Sequence, residues 1–144
     1  MSLPTIHFEK FVKADRSKVF DLMTNYEQVQ KRFPDYFPSI RILSTRGNVA
    51  IIEEHLRIAG NEFVMTAKHV IQSPEVHEVF VIGGNAKGSH IIERYESSQG
   101  GTKIIFYADF KLGGILKIKG FFEKDNIKKG FIKIFDELTR LAEN

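Results

Sequence analysis

Residues 49–72 read VAIIEEHLRIAGNEFVMTAKHVIQ, and their texture sets the architecture. Apolar and polar residues alternate on both sides of Gly60–Asn61, and a period of two marks a strand with one face buried. Gly60–Asn61 is a two-residue turn signal, so the stretch predicts a β-hairpin. Folding the chain there puts Phe63, Met65, Ala67, His69 and Ile71 on one face with Ile58, Leu56, Glu54, Ile52 and Ala50. The other face takes Glu53, His55, Arg57, Thr66, Lys68 and Gln72, and is the one turned to water.

The same period extends outward from this hairpin. It runs from Phe37 to Leu112, punctuated by Gly47–Asn48, Ser73–Pro74, Gly83-Gly84-Asn85 and Gly100–Gly101. The segments SIRILST, VHEVFVI, SHIIERYES and TKIIFYADFKL join the two strands above in an antiparallel meander of six. The N-terminal TIHFEKFVKA alternates as well and makes seven strands. GGNAKGSH, from Gly83, has glycines at phosphate-loop spacing, but Ser89 stands where lysine is required. It reads as a hairpin turn.

Helical periodicity brackets the meander. ADRSKVFDLMTN predicts a short helix capped by Asp15 or Ser17, with Val19, Phe20, Leu22 and Met23 on one face. YEQVQKRF predicts a second, carrying Tyr26, Val29 and Phe33 on its stripe and stopped by Pro34. In NIKKGFIKIFDELTRLAEN, residues Ile127, Phe131, Ile134, Leu138 and Leu141 recur at helical spacing, and Phe135 widens the stripe. Burying about five such side chains is worth on the order of 10 kcal/mol before entropy is subtracted. The long helix must therefore lie on the apolar face of the sheet.

Composition narrows the function classes. The chain has 144 residues, 42% hydrophobic and 27% charged, which predicts one globular domain. Thirteen Phe and no Trp point to an aromatic interior, and the absence of Cys removes disulfides and thiolate chemistry. No signal peptide or membrane-length apolar run is visible, and a cytoplasmic location is expected. The five His stand at no metal-ligand spacing, no Ser sits on a nucleophile elbow, and no cofactor or metal is expected.

The order β-α-α-β-β-β-β-β-β-α resembles the α+β helix-grip fold of the START-like superfamily, also called SRPBCC. That superfamily includes the birch-pollen allergen, polyketide cyclases and coenzyme-Q-binding proteins. The resemblance covers nearly the whole chain. It rests on VKADRSKVFDLMTN, FPDYFPSIRIL and GGTKIIFYADFKLGGIL, and the last two are similar to segments of the polyketide cyclase and coenzyme-Q-binding branch. It implies one ligand-binding domain over 1–144, a seven-stranded curved antiparallel sheet wrapped around the C-terminal helix, and a cavity between them.

In the last strand Ile104, Phe106, Ala108, Phe110 and Leu112 form the apolar row. An even-length turn between Ser97 and Thr102 sets Tyr95, Glu93 and Ile91 opposite; an odd one sets Arg94, Ile92 and His90 there. The even turn matches where the coenzyme-Q-binding branch has aromatics. Two prolines in FPDYFP exclude a continuous helix, and the helix-grip resemblance implies that Phe33, Tyr36 and Phe37 edge the cavity mouth. There they would pack on the start of the last helix around Ile115, Ile118, Phe121 and Phe122.

The expected ligand-binding residues are therefore Phe33, Tyr36, Phe37, Ile52, Glu54, Leu56, Phe63, Met65, His69, Glu93, Tyr95, Phe106, Phe110, Phe121, Phe122 and Phe131. The expected function is binding or transport of a lipid, isoprenoid or polyketide-like molecule. An enzyme of the cyclase or dehydratase kind is the rival reading, with Glu54, His69, Glu93 or Tyr95 as acid or base. Without a catalytic constellation, the reading leans away from an enzyme. A third reading is an interaction module acting through the basic C-terminal helix. The lysines at 111, 117, 119, 124, 128, 129 and 133 form either a solvated face or a weak contact for an anionic membrane surface. Nucleic acid is not expected, because the aromatics point at the helix rather than outward.

Overall fold

The computed structural model describes residues 5–111 and 124–144. Their elements run β1 (Ile6–Val12), α1 (Arg16–Met23), α2 (Tyr26–Arg32), β2 (Ser39–Arg46), β3 (Val49–Ile58), β4 (Asn61–Gln72), β5 (Val76–Gly84), β6 (His90–Ser98), β7 (Gly101–Asp109) and α3 (Lys124–Glu143). The seven strands form one antiparallel sheet in the order β1-β7-β6-β5-β4-β3-β2. Six are joined hairpin by hairpin, and β1 adds to the far edge beside β7. The GGNAKGSH segment is the turn between β5 and β6, as expected.

Two turns fix which residues face the core. Between β6 and β7 the loop is the two-residue Gln99–Gly100, pairing Tyr95 with Ile104, Glu93 with Phe106 and Ile91 with Ala108. The even turn is the one formed. Between β3 and β4 the tip is Ala59–Gly60, one residue earlier than Gly60–Asn61. Ala59 and Gly60 have φ of 52° and 75°, and Asn61 Nδ2 donates 3.1 Å to the Ala59 carbonyl. Two positive φ values make the primed turn that matches the strand twist. The pairing therefore runs Leu56 with Phe63 and Glu54 with Met65, two residues displaced from the expected register. Because the displacement is even, each side chain keeps its expected face.

Both short helices form where expected. The Asp15 carboxylate caps α1, accepting from the Ser17 amide at 3.1 Å, and α1 buries Val19, Phe20 and Met23. The Asn25 side chain caps α2, accepting from Gln28 N. Helix α3 buries Ile127, Phe131, Ile134, Phe135, Leu138 and Ala142 against the sheet. Phe106 is the hub of the contact, with ring centroids 4.6 Å from Phe8, 5.0 Å from Phe131 and 5.3 Å from Phe135. A side chain at Gly130 would meet Ile58 Cγ1 at 2.4 Å, so glycine lets the second turn of α3 sit directly on the β3–β4 hairpin. At its other end α3 is tied to the N-terminal region, where Lys13 N donates 2.8 Å to the Glu143 carboxylate. Among the described residues no helix is long and apolar enough to cross a membrane.

Candidate functional site

Sheet and helix meet without filling the space between them. A cavity of about 110 Å³ remains, lined by β3 to β7 on one side, α3 on the other, and α1, α2 and the start of β2 at the margin. The α3 wall consists of Phe131, Ile134, Phe135 and Leu138. The sheet wall is apolar at Leu56, Met65, Phe106 and Phe110, but carries Glu54, His69, His77 and Glu93 among them.

Those four polar residues are one connected group. His69 Nε2 lies 3.2 Å from Glu54 Oε2, His69 Nδ1 lies 2.9 Å from His77 Nε2, and His77 Nδ1 lies 3.0 Å from Glu93 Oε1. Tyr95 donates 2.6 Å to the same Glu93 oxygen. The two imidazoles are stacked, with centroids 5.2 Å apart. Tyr26 of α2 closes over them, its ring 4.8 Å from that of His69 and its hydroxyl 3.4 Å from His77 Nε2. Inside a sheet, unpaired polar groups would be costly, and this chain of contacts is what allows four of them to stay. Burial, then the charges of Glu93 and Glu54, push the Tyr26 phenol well above its ordinary pKa. Burial, then Glu93 as charge and hydrogen-bond acceptor, does the same to Tyr95. Both phenols stay protonated donors across the physiological range.

Nine of the sixteen expected ligand-binding residues line the cavity: Phe37, Glu54, Leu56, Met65, His69, Glu93, Phe106, Phe110 and Phe131. Ile52, Phe63 and Tyr95 do not. They are buried elsewhere, Phe63 beside Phe110 and Tyr95 under α1, edge-on to Phe20 at 5.0 Å. Phe33 and Tyr36 also stand off the cavity. The chain turns tightly after α2, with the Phe37 amide bonded to the Phe33 carbonyl at 2.9 Å. That turn sends Phe37 inward and leaves Phe33 and Tyr36 stacked on each other at 6.5 Å. Tyr36 then donates to Glu137, in the middle of α3 rather than at its start. That hydrogen bond follows burial in raising the Tyr36 pKa, which reaches about 12. Ile115, Ile118, Phe121 and Phe122, with which these rings were expected to pack, lie outside the described residues, as does Leu112.

His77 and Tyr26 are site residues that the sequence reading missed. A signal existed for Tyr26, which lies on the apolar stripe of α2, the stripe that must face the sheet. His77 alternates with Val79 and Val81, which are buried. Among the described residues no group of His, Asp or Glu is arranged to hold a metal ion. Lys128, Lys129 and Lys133 share α3 with Asp125, Asp136, Glu137 and Glu143, so the described length of that helix carries both signs of charge.

No family model matches the chain, and no curated protein matches it by sequence. Solved structures do match it. The Zhui aromatase/cyclase from Streptomyces sp. R1128 superposes with a TM-score of 0.81 at 13% identity, over 97% of this chain and 93% of that one. A protein from Thermus thermophilus gives 0.78 at 14%, over 98% and 100%. The major latex-like protein 151 from Panax ginseng gives 0.73 at 10%, over 98% of both. At such identities the likeness is one of fold, and the fold is the helix-grip arrangement of a seven-stranded antiparallel sheet around a C-terminal helix.

Proposed function

We propose that this chain binds a hydrophobic small molecule in the cavity between sheet and α3. The observation that carries the reading is the cavity itself: aromatic and aliphatic on most of its surface, with one polar group placed on the sheet wall. Pockets for small ligands have this composition, because apolar walls provide affinity and a few polar atoms provide orientation. A latex-like protein and an aromatase/cyclase among the similar folds are consistent with it. A lipid, isoprenoid or polyketide-like molecule, carried in the cytoplasm, is the ligand class this reading favours. Native mass spectrometry of freshly purified protein tests it, with organic extraction of any adduct. A defined apolar mass is the expected result. Recovery of none, together with no uptake of a fluorescent lipid probe, would remove the proposal.

One observation favours a second reading, an enzyme of the cyclase or dehydratase kind. Two imidazoles and two carboxylates in mutual contact line the cavity, and such a chain can take a proton from a bound molecule and pass it along. Single replacement of Glu54, His69, His77 and Glu93 by alanine decides this, because turnover that survives all four would exclude it.

A further inference from the structure

The atoms that the polar group leaves open specify what the bound molecule carries at its polar end. Glu54 uses Oε2 and Glu93 uses Oε1 in the contacts above, so Glu54 Oε1 and Glu93 Oε2 have no partner among the described residues. No side-chain polar atom of the described residues is both fully buried and unpaired, so these two oxygens keep open surface. Both residues line the cavity, which gives that surface somewhere to face. Glu93 as a residue is only 8% exposed.

The same contacts fix the number of protons. Each of the contacts Glu54–His69, His69–His77 and His77–Glu93 needs one proton between its two atoms. Two neutral imidazoles that donate to their carboxylates would leave lone pair against lone pair at the 2.9 Å nitrogen–nitrogen contact. A fully bonded chain therefore holds one further proton. The two carboxylates and that proton leave one net negative charge. Each imidazole nitrogen has a single in-plane bonding site, and His77 Nε2 spends its own on His69. The Tyr26 hydroxyl, 3.4 Å away, has no lone pair left to donate to there.

The cavity thus shows a bound molecule two carboxylate acceptors and one phenolic donor. We propose that the ligand is a small ring compound ending in a neutral hydroxyl, a phenol or an enol, which donates to Glu54 or Glu93 and accepts from Tyr26. This deepens the binding reading above and rests on it. A ligand carboxylate would meet like charge. An ammonium would be drawn by that charge, but it loses the most hydration on entering an apolar cavity and, having donors and no acceptor, leaves Tyr26 unpaired. A hydroxyl satisfies both sides. The space of about 110 Å³ is on the scale of one ring, since an apolar cavity of roughly 150 Å³ takes up benzene.

The test is a set of four molecules of one shape, titrated calorimetrically into the full chain at neutral pH: para-cresol, para-xylene, para-toluate and para-methylbenzylamine. Para-cresol is expected to bind about tenfold more tightly than para-xylene, the scale of one hydrogen bond to a charged group. The anion and the cation are expected to bind more weakly than para-cresol. Tyr26→Phe, with its fold checked by circular dichroism, is expected to weaken para-cresol severalfold and leave para-xylene unchanged. Para-xylene equal to para-cresol, or the amine tightest of the four, overturns the inference while the binding reading stands. Failure of all four to bind removes the inference as well, and the native mass spectrum with lipid-probe uptake then decides the binding reading separately.

Discussion

The cavity has two walls built on opposite rules. The α3 wall is Phe131, Ile134, Phe135 and Leu138, packed by area and shape alone. The sheet wall interrupts an equally apolar surface with a hydrogen-bonded group running from Glu54 to Glu93 across four strands. A wall of the first kind accepts any oily molecule of suitable size, because burial is non-directional. A wall of the second kind discriminates, because buried polar atoms penalise a guest that does not meet them. Affinity and selectivity are therefore separable in this protein, and substitutions can address one without the other.

The largest effect is expected where both walls meet. Phe106→Ala removes the ring shared by Phe8, Phe131 and Phe135, and should cost about 3–5 kcal/mol in urea unfolding. It should also enlarge the cavity, so any folded fraction should take bulkier apolar probes with its preference for polar ends unaltered. Glu93→Ala strikes the sheet wall alone. It strands His77 Nδ1 and the Tyr95 hydroxyl, and a loss of roughly 2–4 kcal/mol is expected, accompanied by weaker discrimination between hydroxylated and plain ring compounds.

Gly130→Ala displaces the helix wall without changing its chemistry. Its new methyl meets Ile58 at 2.4 Å, and about 1–2 kcal/mol of destabilisation is expected once the helix preference of alanine is set against the overpacking. Apolar affinity should move while selectivity stays. Tyr36→Phe touches neither wall and should change stability by less than about 1 kcal/mol. It has a pH signature instead. The Tyr36 pKa is raised from 10.0 to about 12, so its contribution is complete below pH 10 and is lost as pH rises toward 12. Alkaline unfolding curves of the variant should be flatter across that window. A selectivity change in this variant would show that the two walls are not independent.

Much of this can be read from residue order. Alternation about the β3–β4 turn places Glu54 and His69 on the inner face, and they approach within 3.2 Å. The spacing of Ile127, Phe131, Ile134 and Leu138 places the helix wall, because a stripe at that period has one burial solution. His77 was hidden by loop length. A two-residue turn at Ser73–Pro74 would face Glu78 inward, whereas the loop has three residues, pairing Gln72 with Val76 and Ile71 with His77. Nothing local to the sequence distinguishes those two lengths, and one residue of difference exchanges the faces. Phe33 and Tyr36 were misplaced for a related reason. FPDYFP shows that a turn occurs, but the direction of each ring depends on a hydrogen bond between Phe37 and Phe33 that composition does not reveal.

The hairpin at Ala59–Gly60 carries a consequence for how this chain can diverge. Sliding its arms by two rungs leaves every inner residue inside, so paired insertions or deletions near the tip preserve the chemistry of the interior. A lone insertion between Phe63 and His69, unless a bulge absorbed it, would turn that imidazole toward solvent and sever Glu54 from His77. Drift in length is thus tolerated in even steps and filtered in odd ones, and a descendant that kept the cluster of aromatic rings could still lose its polar end through a single codon.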